Sequence, residues 1–295
     1  PDHKDLPMSP YRTLTLASLL IPTALVAQQP VVPFGQALRA AIGDVQQFLK
    51  DFKSREALAR IEGILPAEVP AWADKTKPQE AYSSYQAYRE YVQAYSLAAE
   101  AASASGYWDK AQAHYTKARD LSKLNADNVG EAFPLIVSYY KDMAAASKRT
   151  LDENVDFIKE LKAKPNPDPG DQQQLDLIKG EEASIEKNLK NAELFGTFIE
   201  TAKKEATYYA ALQEQMTQQV DNERENLATY KFKNDRVKWV EGIMSAKGYL
   251  EKAAPEKVDR IRYLYRLNVL DPKNVKVVRM IESETGVKVT PPDAQ

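Results

Sequence analysis

Cysteine is absent from this 295-residue chain, which removes disulfides, thiolate metal sites and cysteine nucleophiles together. Histidine is almost absent: only His3 and His114 occur, too few for an imidazole metal set or a Ser-His-Asp triad. Glycine is scarce at eleven, and no glycine-rich phosphate loop, zinc-binding helix motif or nucleophile elbow can be found. An excess of charge is lacking too. The net charge is −2, so no chain-wide field draws nucleic acid or an anionic membrane, and acids interrupt the basic clusters at Lys203-Lys204 and Lys231 to Lys238. Paired carboxylates such as Asp152-Glu153, Glu181-Glu182 and Glu223 with Glu225 sit among lysines on periodic stretches and read as solvated helix faces. The expectation is a chain that is not an enzyme, with no catalytic residue, cofactor or metal.

What remains is rich in Ala, Gln, Glu and Lys. With 43% hydrophobic residues it can bury one large or two modest cores. β-Branched runs are nearly confined to the two ends, so the reading is all-α. Near the N-terminus, Met8 to Arg12 precedes an apolar run from Leu14 to Val26 and then Ala27-Gln28-Gln29. That pattern is a secretory signal with a cut after Ala27, although Leu25 stands where a small residue is usual. The run is too short to span a bilayer and contains Pro22, so no integral span is expected once the signal is removed. Residues 1–27 are thus a signal-like segment with an upstream extension, and the chain is expected to be exported, to the periplasm or the cell surface and beyond.

The mature chain divides by pattern into an N-terminal repeat-like region 28–127, a long helical hairpin 128–230, C-terminal repeat-like helices 231–286 and a tail 287–295. Leu38, Ile42, Val45, Leu49 and Phe52, then Leu58, Ile61 and Leu65, predict two short amphipathic helices. Pro66, Pro70 and Pro78 mark a loop that carries Trp72, a residue expected to plug the loop onto neighbouring helices. From Pro78 a helix should run to about Ser105 with Tyr82, Tyr85, Tyr88, Tyr91 and Tyr95 along it. A spacing of three slips back about 60° per step, so one core cannot take all five. Tyr88, Tyr91 and Tyr95 are expected to be the core set. Tyr82 and Tyr85 rotate away from them and are expected to form a protein-binding pair.

Ala98, Ala99, Ala101, Ala102 and Ala104 fill the end of that helix, Gly106 closes it, and Trp108, Ala111, Tyr115, Ala118 and Leu121 share one face of the next. The stretch from Tyr95 to Asn125 resembles a tetratricopeptide repeat: Tyr95, Ala99, Gly106, Tyr107, Ala111, Tyr115 and Ala118 match, whereas Ala98, Ala102 and Lys123 depart from the pattern. A fainter echo pairs Trp239 to Leu250 with Leu264, Leu267 and Leu270 to Asn274. The resemblance implies a protein-interaction scaffold built of helical hairpins, and covers about a quarter of the chain.

Between these regions, Phe133, Ile136, Tyr140, Met143, Leu151, Val155, Ile158 and Leu161 predict one apolar seam, with Pro134 marking its first turn or kinking it. Lys164 to Asp171, with three prolines and Gly170, makes a turn, and a returning seam runs through Ile178, Ile185, Leu189, Ala192, Phe195 and Ile199 to Val220. This is an antiparallel coiled-coil hairpin with arms of roughly 50 Å. The functional expectation is an exported scaffold for a protein partner or for copies of itself in a bacterial envelope. The alternative is a self-assembling filament or ring subunit, with the apolar lead Pro30 to Phe34 docking on a neighbour. A small-ligand binder or enzyme walled by the tyrosine helix ranks last.

Overall fold

The computed structural model describes residues 33–229 and 234–289. The signal-like segment, most of the Pro30 to Phe34 lead and the tail from residue 290 lie outside the described residues. The fold is all-α: the described residues form ten helices and no strand. They are α1 (Pro33–Lys50), α2 (Ser54–Glu62), α3 (Pro78–Ala104), α4 (Trp108–Glu153), α5 (Val155–Ala163), α6 (Pro169–Thr229), α7 (Arg236–Ser245), α8 (Tyr249–Ala253), α9 (Lys257–Leu270) and α10 (Val275–Thr285).

Proline and glycine set many of the ends. Pro33, Pro78 and Pro169 each open a helix, where a missing N–H costs nothing. Gly106 and Gly286 follow α3 and α10 at φ 81° and 72°, in the left-handed region open to glycine. Asn274 and Asp235 cap α10 and α7, each side chain accepting from a backbone N–H three residues on.

Two differences from the sequence expectation concern continuity. α4 runs unbroken through the boundary expected at 127/128, so the second repeat-like helix and the first hairpin arm are one helix. Pro134 lies inside it, neither starting nor ending a helix. The carbonyl that loses its donor belongs to Gly130, at an exposed position where water can replace it. The helix expected from Trp239 to Leu250 is instead α7 and α8, parted at Gly248, whose φ of 72° no α-helix accommodates.

The chain forms two compact units. The first comprises Pro1–Val69, Glu90–Arg119 and Tyr209–Gln295, and the second Pro70–Arg89 and Asp120–Tyr208. In the first unit, Leu38, Val45, Leu58 and Ile61 of α1 and α2 pack on Ala94, Leu97, Ala98 and Ala101 of α3, with Trp108, Ala111, Met216 and Val220. The alanines are almost fully buried, so the backbones approach closely and the larger partners fill the space. A second cluster joins Val240, Ile261, Leu264 and Leu267 to Val277 and Ile281.

In the second unit, the C-terminal part of α4 with α5 runs antiparallel to the N-terminal part of α6. Val129, Phe133, Ile136, Ala144 and Leu161 are buried on one arm and Ile178, Ala192, Phe195 and Phe198 on the other. The seam expected through Met143, Val155 and Leu189 bypasses them, since these three are exposed. Ala144 takes the place given to Met143, because Tyr140 and Ala144 keep a spacing of four where Tyr140 and Met143 would have kept three.

Candidate interaction site

α3 carries the tyrosines singled out by the sequence, and the structure divides them differently. Tyr85 is fully buried, its ring 5.5 Å from Phe133 and 5.1 Å from Phe198. It is core, which corrects its assignment to a recognition pair: Phe133 and Phe198 close over the side of α3 that the periodicity left open. Burial pushes its hydroxyl well above the ordinary tyrosine range, against the opposing influence of Arg89. Tyr82 is half-buried in the same aromatic cluster, 6.0 Å from Phe195 and 5.5 Å from Phe198, and offers at most one edge to a partner. Phe133 and Phe195 meet edge to face at 4.9 Å, and Tyr140 stacks on Phe195 at 5.9 Å. Arg89 grips Glu205 through a forked pair, Nε at 2.9 Å and Nη2 at 2.7 Å.

Tyr88, Tyr91 and Tyr95 are buried. Tyr88 donates to the Pro70 carbonyl at 3.0 Å and has Trp72 beside its ring, so Trp72 packs its loop against α3 in the second unit. In the first unit, Tyr91 stacks on Phe34 at 4.5 Å and Tyr95 donates to the Pro66 carbonyl at 3.4 Å.

The turn after α3 is the most tightly held point of the first unit. A Cβ on Gly106 would stand 2.5 Å from the Tyr265 carbonyl oxygen and 2.6 Å from the Arg266 nitrogen, so glycine is demanded by space as well as by φ. Arg266 of α9 donates from Nη1 to the Gly106 carbonyl at 2.8 Å, and through Nε and Nη2 holds both carboxylate oxygens of Glu223, with 2.9 Å at Nε. Its guanidinium lies 4.8 Å over the Trp108 ring, and both charged groups are buried. Nearby, Arg55 is flanked by the rings of Tyr107 and Tyr265 at 5.7 and 5.6 Å and donates to Asn268 at 2.7 Å. Neither arginine was singled out by the sequence, because their partners lie far along the chain. His114 is half-buried with Nε2 3.0 Å from Glu62 Oε1 and Tyr95 beside its ring. No group of three or more metal-ligating side chains occurs among the described residues.

The hairpin of the second unit has a feature the sequence reading missed. Leu135, Tyr139, Met143 and Phe157 on one arm, and Leu177 and Leu194 on the other, are exposed large apolar residues. Each stands one position before a seam residue: Ile136, Tyr140, Ala144, Ile158, Ile178 and Phe195. One residue is about 100° of helical turn, and in an antiparallel pair the position before the seam falls on the same face of both arms. All six therefore share one face.

The position after the seam defines the opposite face, which is mostly charged: Lys141, Asp152, Lys159 and Lys162 on the first arm and Lys179, Glu186 and Glu193 on the second are exposed there, with Ala145 and Leu189 among them. Lys162 pairs with Glu182 across the arms at 3.0 Å. The hairpin is amphipathic as a pair, apolar on one face and mostly charged on the other, beyond the seam that joins its arms. The signal was available in the offset of one residue from the seam.

Comparison of the chain with protein-family models, curated proteins and solved structures finds no match.

Proposed function

We propose that the chain is an exported, non-enzymatic helical scaffold that mediates protein–protein contact in a bacterial envelope. The observation that carries the reading is the two-faced hairpin. Scattered exposed apolar side chains need no explanation, but six large ones on one face opposite a mostly charged face are the pattern of a surface that is covered in use. Export rests on the signal-like pattern of residues 8–29. The tetratricopeptide-like reading of Tyr95 to Asn125 is supported by the Gly106 turn, the buried alanines on either side of it and the close approach of α9. Its residues Tyr95 to Arg119 belong to the first unit, whereas the interaction surface proposed lies on the hairpin of the second.

Cell fractionation and cross-linking test the proposal. The processed chain is expected in envelope fractions, with cross-links from photoreactive groups at Tyr139 or Leu194 to protein. Recovery of an unprocessed chain from the cytosol alone, with no cross-linked protein, would overturn it.

A further inference from the structure

We infer that the apolar face of the hairpin is covered by the same face of a second copy of this chain, in a closed twofold dimer whose two hairpins form a four-helix bundle. The inference deepens the interaction reading by naming the partner at that face.

The two arms present apolar side chains at a shared level. Large side chains, Leu135, Tyr139, Met143 and Phe157, dominate the face of the first arm. The second arm carries Leu177 and Leu194 on this face, with Gly180, Ser184, Lys187 and Asn191 between them. A twofold axis along the hairpin lays the first arm of one copy on the second arm of the other at the same level, and because Tyr140 stacks on Phe195, Tyr139 then meets Leu194 of the other copy in both halves of the interface. The same operation matches charge. Glu160 stands on this face of the first arm and Lys187 on that of the second. The Lys162–Glu182 pair fixes the level of the arms there and puts Glu160 within about a turn of Lys187 along the hairpin, close enough for a lysine to reach across the dimer.

Area agrees. Side chains of this size, about half exposed, present on the order of 100 Å² each, so two copies would bury roughly 1,200 Å² of apolar surface, the lower end of a stable interface. An isologous contact closes on itself, so it ends at two copies instead of propagating into a filament.

Sedimentation velocity of the full chain between about 1 and 100 μM tests this, since a standard-size interface of modest polarity gives affinities in or below that range. The expected result is a dimer. Tyr139→Lys with Met143→Lys should raise the dissociation constant by at least about 30-fold with an unchanged circular dichroism spectrum, because two central side chains lose their burial. Lys141→Ala with Lys148→Ala, away from the face, should leave the dimer intact. Glu160→Lys should weaken it and added Lys187→Glu should restore it, an outcome that loss of folding cannot imitate. A monomer at 100 μM overturns the inference, as does a dimer that survives the Tyr139 and Met143 changes, or a monomer whose face instead binds phosphatidylglycerol vesicles. A monomer cross-linked through this face to a different protein overturns the dimer while leaving the scaffold proposal standing.

Discussion

The turn at Gly106 and the hairpin face at Tyr139 are opposite solutions to the same helical geometry. At Gly106 every direction is used: the backbone of α9 occupies the space of a side chain, and Arg266 holds a carbonyl, a carboxylate and an indole ring at once. On the hairpin each helix spends one stripe on its neighbour and leaves an adjacent stripe uncovered, and the uncovered stripes still carry six large apolar side chains between them. A site saturated with internal contacts specifies its own fold and has nothing left to offer a partner. A face with apolar residues in excess of what its seam needs is where a partner can add stability.

Arg266→Ala should have the largest effect, because it leaves Glu223 buried without its partner: about 3–5 kcal/mol. Replacing both residues with apolar side chains of similar size should recover much of that loss. Urea unfolding followed by Trp108 and Trp239 fluorescence reads this in the first unit, while Trp72 belongs to the second and should change little. Tyr85→Ala should cost about 3–4 kcal/mol through the cavity it opens beside Phe133 and Phe198, read by Trp72 after the other two tryptophans are replaced. A change under 1 kcal/mol would return Tyr85 to the surface role the sequence first suggested. Tyr88→Phe, losing one hydrogen bond to the Pro70 carbonyl while keeping the ring, should cost about 1 kcal/mol.

The smallest effect concerns pH. Burial raises the carboxyl of Glu90, partly opposed by Arg39, and burial likewise raises Asp259. For each group the folded state holds its proton more tightly than the unfolded state. Stability from these groups therefore falls as pH rises from the ordinary carboxyl range through the folded-state value, and is regained on acidification. Glu90→Gln should remove its share of that slope and shift stability at pH 7 by less than about 1 kcal/mol. Urea midpoints at a series of pH values, compared between wild type and variant, would expose an unchanged slope and so reject the assignment.

The sequence announced what depends on neighbours in the chain. Proline and glycine placed the opening and the end of α3, because those residues restrict their own backbone whatever surrounds them. It misled where the outcome depends on what arrives from elsewhere. Tyr85 reads as peripheral until Phe198, from another helix, is set against it. Pro134 reads as a first turn or a kink, and only the burial of Phe133 and Ile136 on the same helix decides against the first. Arg266 and Glu223 are one basic and one acidic residue among 82, and nothing in their spacing couples them. The hairpin face lay between these cases: its residues were visible as apolar, but only the seam actually adopted says which lie one step to its side.

The contacts made by α9 have a consequence for the order in which the molecule assembles. Arg266 reaches Gly106 across 160 positions and Arg55 reaches Asn268 across 213. The first unit is discontinuous, with the second unit's segments threaded between its own. During synthesis the whole of the second unit leaves the ribosome before α9 exists. At roughly 5–20 residues per second, α1, α2 and the turn at Gly106 wait on the order of ten seconds or more for the helix that closes them. Loop-closure entropy adds to that delay, so the first unit should be the slow, late step of refolding. Pulse-labelled hydrogen exchange would then find the amides of α6 near Phe195 protected ahead of those in α9.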